Sequence, residues 1–415
     1  MMSRKNQDRI KSLIEEYSKL LNSNRNNRLR SYWIEKDNSF SVNLYRADQP
    51  KKYEEIGTIP ILINPVESFF SNLLNYNLKD YYTIPEIYLE KLLEQRINQF
   101  KYFMDDSPLR ENIGIFLGSY YELSIFGMNS IFSENHSAML ENKTIIKNKS
   151  DLDKLVNIDF KKNGLVPVAI KFYEVISKYL EGSELRVDFP CFYRGPFGIL
   201  ALLMGFDNLL PNMILDPDFT RKAFKLITDY FIKYAKWAKK EFNTSTNIIP
   251  LFNDDVSCPT ISPTLYEEFV YPEEKRIEKF FGRFSYWHSC GNCNELVAII
   301  NRLKIDVINV SAVGDLEIFT KEFKNKTAYE ICVSPTRDVI NNNYISKSIK
   351  LDYIINTCKK NGIEAYSIMA SALEGTGLGN ALNDIKNVFQ WISIAREKVN
   401  SFINQEEKRT ISNNH

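Results

Sequence analysis

The chain has 415 residues, of which 44% are hydrophobic and 25% charged, a composition typical of a globular protein with two or three average domains or one large barrel. Its 53 lysine and arginine residues balance 52 aspartate and glutamate residues, so the total charge does not favour nucleic acid as a partner. The N-terminus, Met1 to Lys11, lacks the apolar core of a secretory signal, and no apolar run reaches the roughly 18 residues of a membrane span, so we expect a cytoplasmic protein without a membrane partner.

The chain begins with an amphipathic helical pattern. Its apolar side chains recur at spacings of three and four residues: Ile10, Leu13, Ile14, Tyr17, Leu20 and Leu21. This spacing places them on one helix face, which is expected to pack on the body of the protein, to seal the base of a barrel or to form a homodimer contact. A charged stretch rich in asparagine follows at Asn22 to Arg30. We therefore assign residues 1–50 to an N-terminal helical extension.

Short apolar runs then alternate with helix-length segments. The candidate strands are Ile59–Ile63, Ile113–Leu117, Leu185–Phe189, Ile248–Phe252, Phe284–His288, Val307–Val310, Ala328–Cys332 and Ala365–Met369. Helical patterns between or after them include Asp218–Glu241, Pro263–Phe281, Glu295–Leu303, Ser346–Asn361 and Ala381–Asn400. Repeated strand–helix units of this kind predict an α/β protein with a parallel sheet.

Local signals mark the ends of several predicted helices. Asp216 and Ser262 each precede a proline, Pro217 and Pro263, so each pair places a capping residue before a proline at the first helical position. Gly362 stands where a glycine commonly ends a helix. These signals support the helices predicted around them.

About eight strand–helix units would close a (β/α)8 TIM barrel, which we place at residues 51–405, followed by a polar tail at 406–415. A doubly wound sheet is the alternative, but no Gly-x-Gly-x-x-Gly follows a first strand. Gly375, Gly377 and Gly379 come after the last candidate strand and lack the Lys-Ser/Thr of a phosphate loop. They therefore predict a flexible turn.

Metal-capable side chains cluster in one short segment. His288, Cys290 and Cys293 lie within six residues of a chain that has three histidines and six cysteines, and Cys332 ends another predicted strand. Imidazole and thiolate are favoured zinc ligands, and a cytosolic chain keeps its cysteines reduced. The sequence therefore predicts a metal site formed by these four side chains. The alternatives are small buried thiols with a locally bonded histidine, a redox pair of Cys290 and Cys293, and a Cys293 that points away into the following helix.

Other polar residues follow neighbouring strands, at the end of a barrel where catalytic groups lie. Two adjacent carboxylates could bind zinc, carry protons or cap a helix, and a phenol and a guanidinium share a loop where arginine could bind a substrate carboxylate or form a surface salt bridge. A histidine among Ser133, Glu134 and Asn135 could line the pocket or belong to an ordinary loop. We predict catalytic roles for Asp254, Asp255 and Tyr193, and substrate binding by Arg194, His136 and Asn253.

An ordered set of short motifs resembles the uroporphyrinogen decarboxylase superfamily over roughly residues 110–400. The motifs are Gly195-Pro196-Phe197, Met204-Gly205-Phe206, Asp216-Pro217-Asp218, Asp254-Asp255 with Ile261-Ser262-Pro263, His288-Ser289-Cys290-Gly291-Asn292, Asp306–Val310 and Val333-Ser334-Pro335. The resemblance implies a (β/α)8 barrel. One branch of the family consists of metal-free decarboxylases, whose N-terminal arginine-rich substrate motif is not recognisable here.

The other branch contains zinc-dependent corrinoid:thiol methyltransferases, and the resemblance is closest to these. His288 and Cys290 match the zinc-binding His-x-Cys pair of that branch. Its later cysteine near the last strand is absent, because Ser371 stands in the expected region. Cys332 or Cys293 would have to replace that cysteine, and Asp254 could complete the ligand shell.

The resemblance implies that zinc holds a substrate thiol as thiolate, which takes a methyl group from a corrinoid (a methylcobamide), or that the reverse reaction occurs. The chain has no Asp-x-His-x-x-Gly pattern of a cobalamin-binding domain, so the corrinoid is expected to arrive on a separate protein. The alternatives are a metal-free decarboxylase-like lyase acting on a tetrapyrrole or another carboxylated substrate, and a non-catalytic barrel that binds a corrinoid or a partner protein.

Overall fold

A computed structural model describes residues 4–35, 48–244, 249–341, 343–374 and 381–413. It contains the eight predicted strands, with ends that shift by a few residues. They are β1 (Ile61–Pro65), β2 (Asn112–Gly114), β3 (Arg186–Asp188), β4 (Ile249–Phe252), β5 (Phe284–His288), β6 (Ile305–Val310), β7 (Ala328–Val333) and β8 (Tyr366–Leu373). The predicted glycine turn at 375–379 lies outside the described residues.

Six strands form one parallel sheet in the order β1-β8-β7-β6-β5-β4, and β2 pairs in parallel with β3. The chain after β3 joins the larger sheet through a parallel bridge between Arg194 and Phe252. Between β1 and β2, two carboxylates take the place of strand pairing: Asp106 accepts from the Ile61 amide at 2.7 Å, and Asp105 accepts from the Ile63 amide at 3.1 Å. The strands therefore curl into a TIM barrel, which confirms the predicted fold class.

Helices surround the strands. The α-helices are α1 (Arg4–Leu21), α2 (Asn24–Ser31), α3 (Tyr53–Ile56), α4 (Glu67–Leu74), α5 (Leu78–Thr83), α6 (Pro85–Asn98), α7 (Tyr121–Ile125), α8 (Lys149–Lys154), α9 (Val166–Leu180), α10 (Pro196–Met204), α11 (Phe206–Leu215), α12 (Pro217–Phe242), α13 (Pro263–Leu265), α14 (Tyr271–Phe281), α15 (Val297–Ile300), α16 (Leu316–Phe323), α17 (Tyr344–Lys360) and α18 (Ala381–Asn413). Single 3₁₀ or π turns occupy Gln99–Phe103, Phe160–Lys162, Tyr266–Val270, Asn294–Leu296, Lys324–Lys326 and Pro335–Ile340.

The predicted helix ends are confirmed where a side chain forms the cap. Asp216 Oδ1 accepts from the Phe219 amide at 3.1 Å, and Ser262 Oγ accepts from the Leu265 amide at 3.3 Å. Gly362 follows α17 with a φ of +66°, in the left-handed region that favours glycine. The last helix runs further than its pattern indicated, so residues 406–413 of the predicted tail are helical.

The N-terminal extension packs on the chain's own helices. Ile10, Leu13 and Tyr17 are buried, as the helical spacing predicted, and the Tyr17 hydroxyl donates to the Arg110 carbonyl at 2.8 Å. An ion pair of 2.7 Å joins Arg9 of α1 to a glutamate of α6. The apolar face of α1 is therefore covered within the chain.

A pair of short antiparallel strands follows α2, in which Trp33–Ile34 pairs with Gln49–Pro50. It lies at the amino-terminal end of the barrel, because the adjoining Tyr53 amide donates to Glu364 just before β8. Trp33 is buried against inward-pointing side chains of β1, β7 and β8. This strand pair therefore places the Trp33 side chain against the interior of the barrel.

Among the described residues, no single helix combines the length and apolarity of a membrane span. The helices α10 and α11 reach that level only together, across a bend of 108°.

Candidate metal centre

Two neighbouring strand ends hold the candidate ligands. His288 is the last residue of β5 and lies opposite Phe252, the last residue of β4, in a parallel register. The Asn253 amide donates to the His288 carbonyl at 2.7 Å, which ties the two strand ends together. Asp254 and Cys290, two residues beyond these ends, therefore meet at the carboxyl end of the barrel, where active sites of this fold lie.

Three donor atoms converge there. His288 Nε2 lies 3.1 Å from Cys290 Sγ and 3.3 Å from Asp254 Oδ1, and the thiol and carboxylate atoms are 3.5 Å apart. Ligands of a tetrahedral zinc ion at about 2.0–2.3 Å lie about 3.5 Å from one another. In the part of the chain that the structure describes, these three side chains form the group able to hold a metal ion. Their donor set and spacing fit zinc.

The contacts of His288 distinguish a ligand set from a nucleophilic triad. In a Cys-His-Asp triad, the nucleophile and the carboxylate contact different ring nitrogens. Here Cys290 and Asp254 both face Nε2, whereas Nδ1 lies 3.4 Å from the Tyr286 hydroxyl. Cys290 is exposed, so one side of the group is open to solvent. An open side is a feature of catalytic rather than structural zinc sites.

A buried arginine holds the carboxylate of the candidate ligand Asp254. The Arg194 side chain contacts Asp254 Oδ2 through Nη2 at 3.0 Å and Asp255 Oδ2 through Nη1 at 2.7 Å. Burial opposes ionisation of Asp254, but the Arg194 charge and the hydrogen bonds from His288 and Cys290 outweigh it and hold the pKa of Asp254 well below its usual range. Asp254 is therefore an anion with Oδ1 directed at the candidate ligand group.

Asp254 and Cys290 together favour positive charge at the centre of the group. Burial lowers the pKa of His288, but the charge of Cys290 and the Asp254 carboxylate outweigh it and raise that pKa to about 10. The same two neighbours would stabilise a metal cation. Asp255 differs: burial raises its pKa, the Arg194 charge works against this, and the charge of Asp254 adds to the increase.

A side chain that the sequence analysis missed supports the arginine loop. Glu122 of α7 is fully buried, and its Oε1 accepts from the Tyr193 amide at 2.9 Å and the Arg194 amide at 3.2 Å. Burial raises the pKa of Glu122. The residue after Arg194 must be glycine because the chain packs closely there: a Cβ on Gly195 would lie 1.7 Å from Asn253 Oδ1.

Inside the barrel, below His288, lies a second polar group that the sequence analysis missed. The Tyr286 hydroxyl donates to Glu330 Oε1 in a short hydrogen bond, and Asn309 Nδ2 donates to the same oxygen at 3.0 Å. Asn309 also donates to Cys332 Sγ at 3.1 Å. In the sequence, this group is marked by polar residues on the inward face of otherwise apolar strands. Interiors of this fold are usually filled by branched apolar side chains.

The other predicted thiols lie apart from the three converging donors. Burial raises the pKa of the Cys332 thiol, which faces Asn309. Cys293 Sγ donates to the Val256 carbonyl at 3.1 Å, within the core between strands and helices. Burial raises the pKa of Cys293 to about 12. The structure therefore brings neither thiol into the group, and Cys293 points away, as one of the sequence alternatives held.

The remaining predicted residues surround the group or lie elsewhere. Tyr193 is buried edge-on against Phe252, with ring centroids 5.2 Å apart. The Asn253 side chain points away from the barrel interior toward α14, where its Nδ2 donates to Glu274 Oε1 at 2.8 Å. His136 is exposed in a loop between Ser130–Ile131 and Met139–Leu140, where its backbone bonds to Ser133.

The chain is similar in sequence to known proteins. Residues 55–332 match the family model described as "Uroporphyrinogen decarboxylase (URO-D)". Two relatives come from Methanosarcina mazei. "Methylcobamide:CoM methyltransferase MtbA" is 28% identical over 187 residues, which are 44% of this chain and 52% of that protein. "Methylated-thiol--coenzyme M methyltransferase" is 20% identical over 254 residues, which are 55% of this chain and 67% of that protein. The match thus spans about half the length of the first relative.

A solved structure described as "methyltransferase from Methanosarcina mazei" resembles this chain with a TM-score of 0.60 and 14% sequence identity. The likeness covers 82% of this chain and 94% of that structure. At this identity it supports the barrel fold alone.

Proposed function

Because the chain belongs to the uroporphyrinogen decarboxylase family, we propose that it is a zinc-dependent methyltransferase that moves a methyl group between a corrinoid and a thiol or related acceptor. The observation that carries the proposal is the convergence of Asp254 and Cys290 on Nε2 of His288. The names of both relatives, which refer to methylcobamide, coenzyme M and methylated thiols, support the same reaction class.

The three side chains would hold the metal through nitrogen, sulfur and oxygen, which leaves a fourth position for the acceptor sulfur. Zinc bound there would act as a Lewis acid that keeps a coordinated thiol deprotonated. Arg194 keeps Asp254 ionised and directed at the site, and Cys290 presents its exposed side to an entering substrate.

Arg194 also bears on the decarboxylase-like alternative. Its Nη1 and Nη2 atoms are engaged by Asp255 and Asp254, so the charge that would bind a substrate carboxylate is already balanced within the protein. This arrangement supports a role of Arg194 in holding a ligand carboxylate.

We propose that the corrinoid is supplied by a separate protein.

The first experiment is elemental analysis of anaerobically purified protein. We expect about one zinc per chain in the wild type, strongly reduced zinc in His288→Ala, Cys290→Ser and Asp254→Asn, and unchanged zinc in Cys293→Ser, a matched thiol three residues from Cys290. Cys332→Ser tests the remaining predicted ligand. A wild type that contains no metal after zinc is added back would contradict the proposal.

The reaction is tested with methylcobalamin and coenzyme M as free substrates. We expect thiol-dependent demethylation of the corrinoid by the wild type, and its loss in Cys290→Ser. If the zinc-loaded wild type binds the corrinoid without demethylating it in the presence of any thiol, the non-catalytic alternative is correct. Metal-free turnover of a porphyrinogen would support the lyase alternative.

A further inference from the structure

We propose that Glu330 and Tyr286 are positioning residues that orient His288 and fix which of its ring nitrogens carries a proton. The inference rests on the proposed metal site, because the proton position matters only if Nε2 must bind a cation. Neither residue touches the open side of the site. They act from inside the barrel, below the ligand.

The sheet register places the three side chains in one column. Tyr286 and His288 are alternate residues of β5 and share its inward face, with their rings stacked at 14° and centroids 5.9 Å apart. Glu330 lies opposite Asn309 in the β6–β7 pairing and points to the same interior. Tyr286 is fully buried and Glu330 is 3% exposed, so water competes little for their hydrogen bonds.

The hydrogen bonds among these side chains have a consistent order of donors and acceptors. Glu330 Oε1 accepts from both the Tyr286 hydroxyl and Asn309 Nδ2, so the phenolic proton is directed at the carboxylate. The Tyr286 oxygen can then accept from His288 Nδ1, 3.4 Å away. A neutral imidazole that carries its proton on Nδ1 offers a lone pair at Nε2, which is the form that can bind a metal.

The same strand supplies a matched comparison on its outer face. Glu274 is also a buried carboxylate with a tyrosine and an amide as donors: Tyr266 at 2.6 Å and Asn253 at 2.8 Å. It contacts β5 through Trp287 Nε1 at 3.4 Å, not through a histidine. Glu274→Gln therefore makes the same chemical change at the same depth without touching the proton position of His288.

The hydrogen bonds that link Glu330, Tyr286 and His288 form a relay. The relay variants Tyr286→Phe and Glu330→Gln disturb it in different ways. Tyr286→Phe removes the acceptor for Nδ1–H and keeps the ring. Glu330→Gln can present an amide N–H to the tyrosine oxygen, which turns the phenolic proton toward Nδ1 and favours the tautomer that cannot bind metal at Nε2. Loss of such supporting hydrogen bonds typically costs about 10- to 100-fold in metal affinity. We expect Glu330→Gln to lower zinc affinity at least as much as Tyr286→Phe.

The test combines zinc competition against a chromogenic chelator with ¹⁵N NMR of histidine-labelled protein. The chain has three histidines, so the spectrum is simple, and His288→Ala assigns the relevant imidazole. In the zinc-loaded wild type we expect Nδ1 to be protonated and Nε2 to be metal-bound. We expect both relay variants to bind zinc more weakly and to shift the Nδ1 resonance, whereas Glu274→Gln changes neither. Circular dichroism checks that each variant is folded.

The outcomes separate the relay from the proposed function. If the wild type binds zinc and folded Tyr286→Phe and Glu330→Gln bind it as tightly as Glu274→Gln does, the relay is wrong and the metal site stands. If the relay variants lose affinity as expected but the wild type transfers no methyl group, the relay stands and the proposed reaction is wrong. A wild type that binds no divalent metal contradicts both.

Discussion

β5 carries a buried hydrogen-bond network on each of its two faces. On the inner face, the Tyr286 hydroxyl lies between the Glu330 carboxylate and His288. On the outer face, the Glu274 carboxylate accepts from the indole of Trp287 and from two further scaffold side chains. The inner network ends in a group of atoms open to solvent, whereas the outer network ends within the core. Burial of a carboxylate therefore does not by itself indicate function. The indication comes from the group that its hydrogen bonds reach.

The largest effect is expected where the inner network ends. Cys290→Ser or His288→Ala removes one of three converging donors, and two ligands are fewer than zinc sites use. We expect the zinc content to fall from about one per chain to less than about 0.2. Metal analysis of purified protein measures this. Retention of full zinc content by both variants would place the metal elsewhere.

The next largest effect is expected from Arg194→Met. This change leaves Asp254 and Asp255 without their shared counter-charge, and breaking a buried pair by removing one partner costs about 3 kcal/mol. We expect the free energy of unfolding in urea to fall by about that amount, and the zinc affinity to change as well. The double variant Arg194→Met with Asp255→Asn is the control and should recover part of the stability, since one unpaired carboxylate is removed. No loss of stability would show that solvent balances the two charges.

A pH-dependent effect is expected on the outer face. Burial raises the pKa of Glu274 to about 7 from an ordinary value of 4.5, although its hydrogen bonds with Tyr266, Trp287 and Asn253 oppose the shift. Between these values the folded state binds more protons than the unfolded state, so this group makes the protein less stable as the pH rises from about 5 to 8. Glu274→Gln removes that dependence.

We therefore expect the stability of Glu274→Gln relative to wild type to increase by about 2 kcal/mol between pH 5.5 and pH 8, measured by urea unfolding at both values. Other titrating groups cancel in this difference. A difference that does not change with pH would mean that Glu274 is already ionised in the folded protein at pH 5.5.

The smallest effect is expected from Cys293→Ala, which contrasts two thiols of one motif. The Cys290 thiol is one of the three converging donors, whereas Cys293 donates to the Val256 carbonyl in the core. Removing a small buried thiol typically costs about 1 kcal/mol. We expect that loss of unfolding free energy with zinc content unchanged. Loss of zinc would instead show that Cys293 serves the metal site.

The order of the elements and the centre of the candidate site could be predicted from the sequence. Most barrel strands are short, mainly apolar runs, because their outward side chains pack on helices, and such runs are visible without a structure. The caps at Asp216 and Ser262 were equally visible, because a cap depends on residues three positions away. His288 and Cys290 were predictable for the same reason, since both lie in one short segment at a strand end.

Which other side chains join them depends on how distant parts of the chain pack together. Glu330 is 44 residues from Tyr286 and Asp254 is 36 residues from Cys290, so their contacts depend on the register between strands. Cys293 follows Cys290 by three residues, yet its thiol faces the core, because the chain turns into a helix after the strand. Local spacing identifies a ligand pair, whereas the direction of each neighbouring side chain is set by how the barrel closes.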